Sequence, residues 1–132
     1  MRTARVILVL IAGITFLLSS CDGNTKQEWV IHNNSSTEIF ISADTNYCTL
    51  MEENIPPGQT ITILISNHLG GSNNAGSPSD SGNLNWMIYS LKDTLKKDPN
   101  KDDNWEIATN RDSKTPSTYS HQFTFEFTDE DF

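Results

Sequence analysis

The chain has 132 residues, with nine Lys and Arg side chains against 17 Asp and Glu side chains and a formal net charge of −8. This length allows one domain of ordinary size and leaves no room for a second. The excess of acid argues against a nucleic-acid partner, because binding to phosphates depends on clustered Lys and Arg.

The first 20 residues have the pattern of an export signal. Arg2 and Arg5 precede an uncharged apolar run at residues 6–18, which is the order of the basic and hydrophobic regions of a signal peptide. A helix that spans a bilayer needs about 20 apolar residues, and this run has only 13. The pattern therefore predicts a signal peptide at residues 1–20 rather than a permanent membrane span.

The next residues, Leu18-Ser19-Ser20-Cys21, resemble the lipobox of bacterial lipoproteins. The resemblance implies that the Cys21 sulfur receives a diacylglyceryl group, that cleavage follows before Cys21, and that fatty acyl chains such as palmitate anchor the protein. More than one chain is needed for stable attachment, and this modification would supply them. In the alternative reading, Cys21 merely follows the cleavage site of an ordinary secretory signal.

Cleavage before Cys21 would leave 112 residues with seven basic and 17 acidic side chains, hence a formal charge of −10. If lipid occupies Cys21, Cys48 has no partner for an internal disulfide, and stability must come from the core. A lone cysteine between Tyr47 and Thr49 is expected to pack as a small buried hydrophobe. The alternative is a reactive thiol beside a histidine.

Polar residues 21–26 predict a flexible tether, and the domain is expected to occupy residues 27–132. Apolar residues then recur at every second position, which is typical of strands with one buried face. The members of these alternating sets are Trp29 and Ile31; Ile39, Ile41 and Ala43; Ile61, Ile63 and Ile65; and Tyr119, His121, Phe123, Phe125 and Phe127.

Turn-forming residues separate these strands at 33–36, 55–58 and 98–100. Weaker apolar runs at 85–91 and 105–109 raise the count to six or seven strands, and no window sustains a helical period. The pattern predicts an all-β fold, an antiparallel β-sandwich of immunoglobulin-like type, although the Cys-Trp-Cys framework of true immunoglobulin domains is absent.

Residues 70–83 are Gly-, Ser- and Asn-rich and have no periodicity. Loops of this length are often functional or disordered, so the sequence predicts a long mobile loop. It is the first place to look for contacts with a ligand or partner, and a disordered insertion is the alternative. A phosphate-binding loop is excluded because no lysine lies between Lys26 and Lys92. No cofactor is expected.

Residues 98–109 partly match the ligand spacing of a calcium loop. Asp98, Asn100 and Asp102 have the opening spacing, and Glu106 stands at the ninth position. The sixth and twelfth positions, Asp103 and Thr109, lack the required Gly and Glu. A solvated turn is the simpler interpretation, and no metal ligands are assigned.

The histidines, His32, His68 and His121, lie far apart in the sequence, and no Gly-x-Ser-x-Gly motif marks a nucleophile. No catalytic residue is assigned, and His121 is expected to be a satisfied histidine on the apolar face of the last strand. Among the aromatic residues, Tyr47 and Trp105 lie beside turns and are candidates for stacking against a sugar ring.

The Cys21-Asp22 start and the Asn- and Thr-rich strands resemble lipoproteins of Bacteroidetes. That resemblance implies that Asp93-Thr94-Leu95 is an O-glycosylation motif with Thr94 as the acceptor, and it favours the outer membrane. An acidic export patch after Asp22 is lacking. In enteric bacteria, Asp after the lipidated cysteine instead retains a lipoprotein in the inner membrane.

The sequence therefore predicts an envelope lipoprotein, anchored to the membrane through Cys21, that acts as a non-enzymatic module for a protein or glycan partner. One alternative is a small envelope hydrolase with a site at His68 and the 68–83 loop. Another is an inhibitor or immunity protein that uses the acidic surface against a basic partner.

Overall fold

A computed structural model describes residues 23–45, 48–79, 85–91 and 95–132. These residues form seven strands and two short 3-10 helices, and they contain no α-helix. The strands are β1 (Asn24–Asn33), β2 (Ile39–Thr45), β3 (Cys48–Ile55), β4 (Thr60–Leu69), β5 (Asn85–Tyr89), β6 (Glu106–Lys114) and β7 (Ser117–Phe127). The 3-10 helices are Asp102–Asn104 and Asp129–Asp131.

The strands divide into a four-stranded sheet, ordered β4-β1-β7-β6, and a three-stranded sheet, ordered β3-β2-β5. The predicted all-β sandwich is confirmed. The division into four and three strands is that of an immunoglobulin constant-type domain, but the strand order differs. Here β1 and β7 are central neighbours and run parallel, whereas the other described pairs are antiparallel. Almost the whole domain separates β1 from β7, so no hairpin forces them to be antiparallel.

The core lies between the sheets and is rich in aromatic side chains. Its buried members are Trp29, Ile31, Ile39, Ile41, Ile55, Trp105, Phe123, Phe125 and Phe127. The alternation predicted for β7 is confirmed, because Phe123, Phe125 and Phe127 are all fully buried. Phe125 contacts Phe127 at a ring-centroid distance of 4.7 Å and meets the edge of Trp105 at 5.0 Å.

One predicted face is wrong in β4. Ile61 and Ile63 pack against the core, but Ile65 is 51% exposed and Leu64 packs in its place. The reason is a bulge opposite the step from Trp29 to Val30, where the register of β1 against β4 shifts by one residue. Successive side chains of a strand point to opposite faces of the sheet. One extra residue in β4 therefore turns each side chain after the bulge to the face opposite the predicted one.

The side chain of Asn33, at the end of β1, joins the two sheets. It is fully buried, and its Nδ2 donates to the backbone oxygen of Ile55 in β3 and to that of Thr37, each at 2.8 Å. Its Oδ1 accepts from the Ser35 hydroxyl at 2.6 Å and from the Ser35 N–H at 3.1 Å. The side-chain amide of Asn33 is thus hydrogen-bonded to β3 of the three-stranded sheet and to the turn between β1 and β2.

The backbone around Asn33 completes this junction. The Asn33 N–H donates to Gln59 O at 2.9 Å, and the Gly58 N–H donates to Asn33 O at 2.7 Å. The next residue, Asn34, donates its N–H to Phe127 O at 2.7 Å. Gly58 can take its φ of 75° because it lacks a Cβ. The turn at residues 56–59 and the end of β7 are therefore fixed to the same point.

We expect Asn33→Ala to lower the free energy of unfolding by about 2–4 kcal/mol, because buried carbonyl groups of Thr37 and Ile55 lose their donor. Chemical denaturation of the folded domain measures this change. The matched control is Asn34→Ala, since the Asn34 side chain is exposed and bonds only Glu126 among the described contacts. A control variant as unstable as Asn33→Ala would contradict the role given to the Asn33 amide.

The predicted tether at residues 21–26 is wrong for residues 24–26, which belong to β1. Thr25 is only 4% exposed, and its hydroxyl donates to Gly70 O at 2.6 Å. Gly23 is buried too, and its carbonyl accepts from the Gly70 N–H at 2.8 Å. The polar composition that predicted flexibility is instead used for hydrogen bonds within the domain.

Candidate functional site

The inner face of the four-stranded sheet changes from apolar to polar along its strands. Two polar rows cross β4, β1, β7 and β6: His68, Thr25, Tyr119 and Arg111 form the first, and Ser66, Gln27, His121 and Thr109 form the second. The third row, Leu64, Trp29, Phe123 and Ile107, begins the apolar core. The two polar rows therefore contain titratable and hydrogen-bonding side chains of this face.

The segment 70–79 covers these polar rows. Besides the Thr25 bond to Gly70, Gln27 Nε2 donates to Ala75 O at 2.7 Å and Trp29 Nε1 donates to Pro78 O at 2.9 Å. Three alternate side chains of β1 thus hold three points of the segment, and Pro78 is fully buried. Residues 70–79 form neither helix nor strand, as the predicted loop requires, but these contacts hold them against the sheet, contrary to the predicted mobility. Residues 80–83 lie outside the described part of the chain.

His121 is bonded on both ring nitrogens beneath this segment. Its Nε2 lies 2.9 Å from Ser72 O and its Nδ1 lies 2.9 Å from the Thr109 hydroxyl. A carbonyl oxygen only accepts, so Nε2 carries the proton, and in the neutral ring Nδ1 accepts from Thr109. With 1% of its surface exposed, His121 is the satisfied histidine that its position on β7 predicts.

His68 is the histidine of the hydrolase hypothesis, and it is exposed. Its Nε2 lies 3.0 Å from both the Ser66 hydroxyl and Gln27 Oε1. Because Gln27 Nε2 bonds a carbonyl, the Gln27 oxygen must face His68, and His68 Nε2 must then be a donor. A protonated Nε2 cannot accept the Ser66 proton, so this pair does not have the arrangement of a nucleophile and its base.

The serines of the segment have other partners. Ser77 donates its hydroxyl to Asp102 at 2.6 Å, and the Ser79 N–H donates to the same carboxylate at 3.0 Å. Hydrogen bonds from the Ser77 and Ser79 hydroxyls, followed by the Ser79 N–H, hold the pKa of Asp102 below its usual 3.8. Asp102 therefore fastens the far end of the segment to the 3-10 helix at Asp102–Asn104.

The hydrogen bonds of Asp98 and Asp102 show whether these two positions of the partial calcium-loop motif point to a common centre. The Asp98 carboxylate accepts from the N–H of Asn100 at 2.9 Å and from its side-chain amide at 3.1 Å, whereas Asp102 faces the serines. The two carboxylates serve separate local hydrogen bonds. No group of three or more His, Cys, Asp or Glu side chains is placed to hold a metal ion within residues 23–45, 48–79, 85–91 and 95–132.

We expect Asp102→Ala to lower the hydrogen-exchange protection of the Ser79 amide roughly fivefold, because its acceptor is lost at an exposed site. Asp103→Ala, on the same 3-10 helix, is the control and should leave this amide unchanged.

The hydrogen-exchange protection of the Ser79 amide is expected to fall in acid. A carboxyl whose pKa is lowered by folding stabilises the fold above its unfolded pKa, and this contribution disappears as pH falls through the folded value. The wild-type Ser79 protection factor should therefore fall below about pH 4, and that of Asp102→Ala should not follow it. Equal acid dependence in both proteins would contradict the assignment.

An open cleft of about 260 Å³ lies at the other end of the four-stranded sheet. It is lined by Lys97, Asp103, Asn104, Trp105, Glu106, Thr124 and Glu126. Lys97 is held in its wall, because its Nζ donates to Glu126 O at 2.6 Å and lies 4.9 Å from the centre of the Phe125 ring. The lining thus includes three acidic residues and one basic residue, which favours a cationic group over an anion. The Glu126 carboxylate itself accepts from Asn34 Nδ2 at 3.2 Å and lies 3.8 Å from His32 Nδ1, so Asp103 and Glu106 supply the carboxylates without such a contact among the described residues.

The prediction that Trp105 is available for stacking against a sugar is wrong. Trp105 is only 6% exposed, its Nε1 donates to Pro99 O at 2.7 Å, and its ring packs on Phe125. An indole that follows a turn can still fold inward when a nearby carbonyl satisfies its N–H. Trp105 contributes to the floor of the cleft and presents no open face.

Several predicted site residues lie outside the described part of the chain: Cys21, Tyr47 and Thr94. Cys48 begins β3, but its side chain is not among those described. The signal segment 1–20 is also outside the description. The lipidation of Cys21 and the glycosylation of Thr94 remain predictions from sequence. The cleft itself was missed, because its residues come from three separate segments and share no motif.

Comparisons of the chain with protein-family models, with curated protein sequences and with solved structures found no match. In the part of the chain that the structure describes, no helix has the length and apolar character needed to cross a bilayer.

Proposed function

We propose that this protein is a lipoprotein of the cell envelope, anchored to a membrane by lipid on Cys21. The observation that carries the proposal is the succession of Arg2 and Arg5, the apolar run 6–18 and the Leu18–Cys21 motif. The strand β1 begins at Asn24, three residues after Cys21, so a lipid on Cys21 would attach close to the first strand of the described domain.

The anchored domain acts in this proposal as a non-enzymatic interaction module, with the cleft at Lys97 and Glu126 as its binding site. The carboxylates of Asp103 and Glu106 fit a Lys or Arg side chain of a protein partner. The mature charge of −10 would speed the encounter with a basic protein and make binding sensitive to salt. The buried indole of Trp105 favours a protein partner over a glycan.

The two alternative functions differ in their support. A hydrolase built on His68 lacks support, because the Gln27 contact makes His68 Nε2 a donor rather than a base. An inhibitor or immunity protein directed at a basic partner would use the same acidic cleft. Such a protein would bind the basic partner in the same way and would, in addition, block the partner's activity.

The lipid anchor is tested by replacing the cysteine. Cys21→Ser should abolish the incorporation of labelled palmitate and release the domain from membranes, because the thioether can no longer form. Cys48→Ser is the matched control and should remain labelled and membrane-bound. Continued lipidation of Cys21→Ser would refute the anchor.

The binding site is tested by neutralising the cleft. The double variant Asp103→Asn with Glu106→Gln should lose a partner that the wild type captures from detergent-solubilised envelope, and added salt should weaken the wild-type capture. Glu130→Gln, an exposed acidic residue outside the cleft, should capture as the wild type does. Capture that survives the double variant, or a partner that resists salt, would contradict the proposal.

A further inference from the structure

Gly23, the residue before β1, is held firmly in the domain. A Cβ placed on Gly23 would lie 1.6 Å from Ser117 O, and one placed on Gly71 would lie 1.9 Å from the same oxygen. Gly23 and Gly71 therefore lie on either side of the Ser117 carbonyl group, so close that any residue with a Cβ at either position would clash with its oxygen. The Gly23 carbonyl also accepts from the Gly70 N–H. Gly23 belongs to the rigid domain and not to a linker.

Covalent geometry then limits the distance between lipid and domain. Cys21 precedes Gly23 by two residues, and two residues of extended chain span at most about 7 Å. The Cα atoms of Cys21 and Gly23 must therefore lie within that distance of each other, and only the cysteine side chain and the glycerol group add to it before the acyl chains begin. A domain tens of ångströms across cannot tumble freely on so short a connection.

Gly23 lies at one end of the four-stranded sheet. At this end β1 and β7 begin and β4 and β6 finish, because Asn24 pairs with both Leu69 and Thr118. We call this surface, residues 23–28, 66–71 and 111–118, the glycine end. Its most exposed apolar side chain is Leu69, which is 93% exposed.

The charge of the glycine end differs from that of the whole chain. It carries three basic side chains, Lys26, Arg111 and Lys114, and two acidic ones, Glu28 and Asp112. Asp22, which precedes it in the sequence, makes the total zero, whereas the mature chain has a charge of −10. The glycine end is therefore not repelled by lipid headgroups, and basic side chains near anionic lipids are attracted to them.

We propose that the glycine end rests on the lipid headgroups, with Leu69 entering the interface, so that the strands of the four-stranded sheet stand away from the bilayer. This orientation rests on the proposed lipid anchor at Cys21. Eight residue-to-residue steps along β7 lead from Thr118 to Glu126, which is about 26 Å of extended strand. The cleft at Glu126 consequently faces away from the membrane, where a partner reaches it without touching lipid.

The test uses the full-length, lipidated protein with Cys48→Ser, in which lipid occupies the remaining Cys21 sulfur. Single cysteines are introduced by Leu69→Cys or Thr115→Cys at the glycine end, and by Glu130→Cys at the opposite end. Each is labelled with an environment-sensitive fluorophore and reconstituted into vesicles of phosphatidylcholine and phosphatidylglycerol that contain headgroup spin-labelled lipid. Labels at positions 69 and 115 should shift to the blue and be quenched, and the label at 130 should show neither change.

A matched control lengthens the connection without changing the lipid or the fold. Ten Gly and Ser residues inserted between Asp22 and Gly23 have a typical end-to-end distance of roughly 17 Å. The insertion should reduce the quenching at position 115 towards that at position 130. Equal quenching at both ends of the lipidated protein would overturn the orientation alone. Quenching at position 115 that the insertion leaves unchanged would overturn the short connection as the cause of the orientation. An intact mass without acyl chains would overturn the anchor and the orientation with it.

Discussion

The buried amide of Asn33 holds the two sheets in one arrangement. Its hydrogen bonds to Ile55 O and Thr37 O leave β1 of one sheet and reach β3 and the turn before β2. Hydrophobic burial is not directional, whereas each of these hydrogen bonds requires two particular atoms to meet. A buried amide is costly unless its bonds are made, so these bonds favour the offset between the sheets that satisfies Asn33.

From this junction the four-stranded sheet extends further than the core does. Near Asn33 its inner face packs against apolar residues of the other sheet, whereas at Thr25 and Gln27 it meets the segment 70–79 instead. The segment provides carbonyl oxygens where side-chain donors would otherwise be buried without acceptors. The sandwich is thus closed by a second sheet at one end and by a single chain segment at the other.

Period-two alternation was enough to predict most of the fold. β7 was clear because Phe123, Phe125 and Phe127 alternate with polar residues, and the short runs at β5 and β6 were also found. β3 was missed, because Leu50 and Met51 are adjacent and acidic residues follow. The anchoring of the segment 70–79 was not predictable, since its composition is that of a free loop and its donors lie more than 40 residues earlier. The cleft is likewise formed by tertiary contacts that no local pattern records.

The bonds from Thr25, Gln27 and Trp29 to the segment 70–79 all end on backbone oxygens. Every residue type has such an oxygen, so these bonds constrain the path of the segment and leave most of its side chains unspecified. Gly70 and Gly76 have a positive φ, Gly71 lies against Ser117, Ala75 and Pro78 pack inward, and Ser77 bonds Asp102. The exposed positions 72–74 are the ones that remain open to change. The segment is therefore a surface on which new side chains can be displayed at fixed positions without altering the hydrogen bonds that hold it.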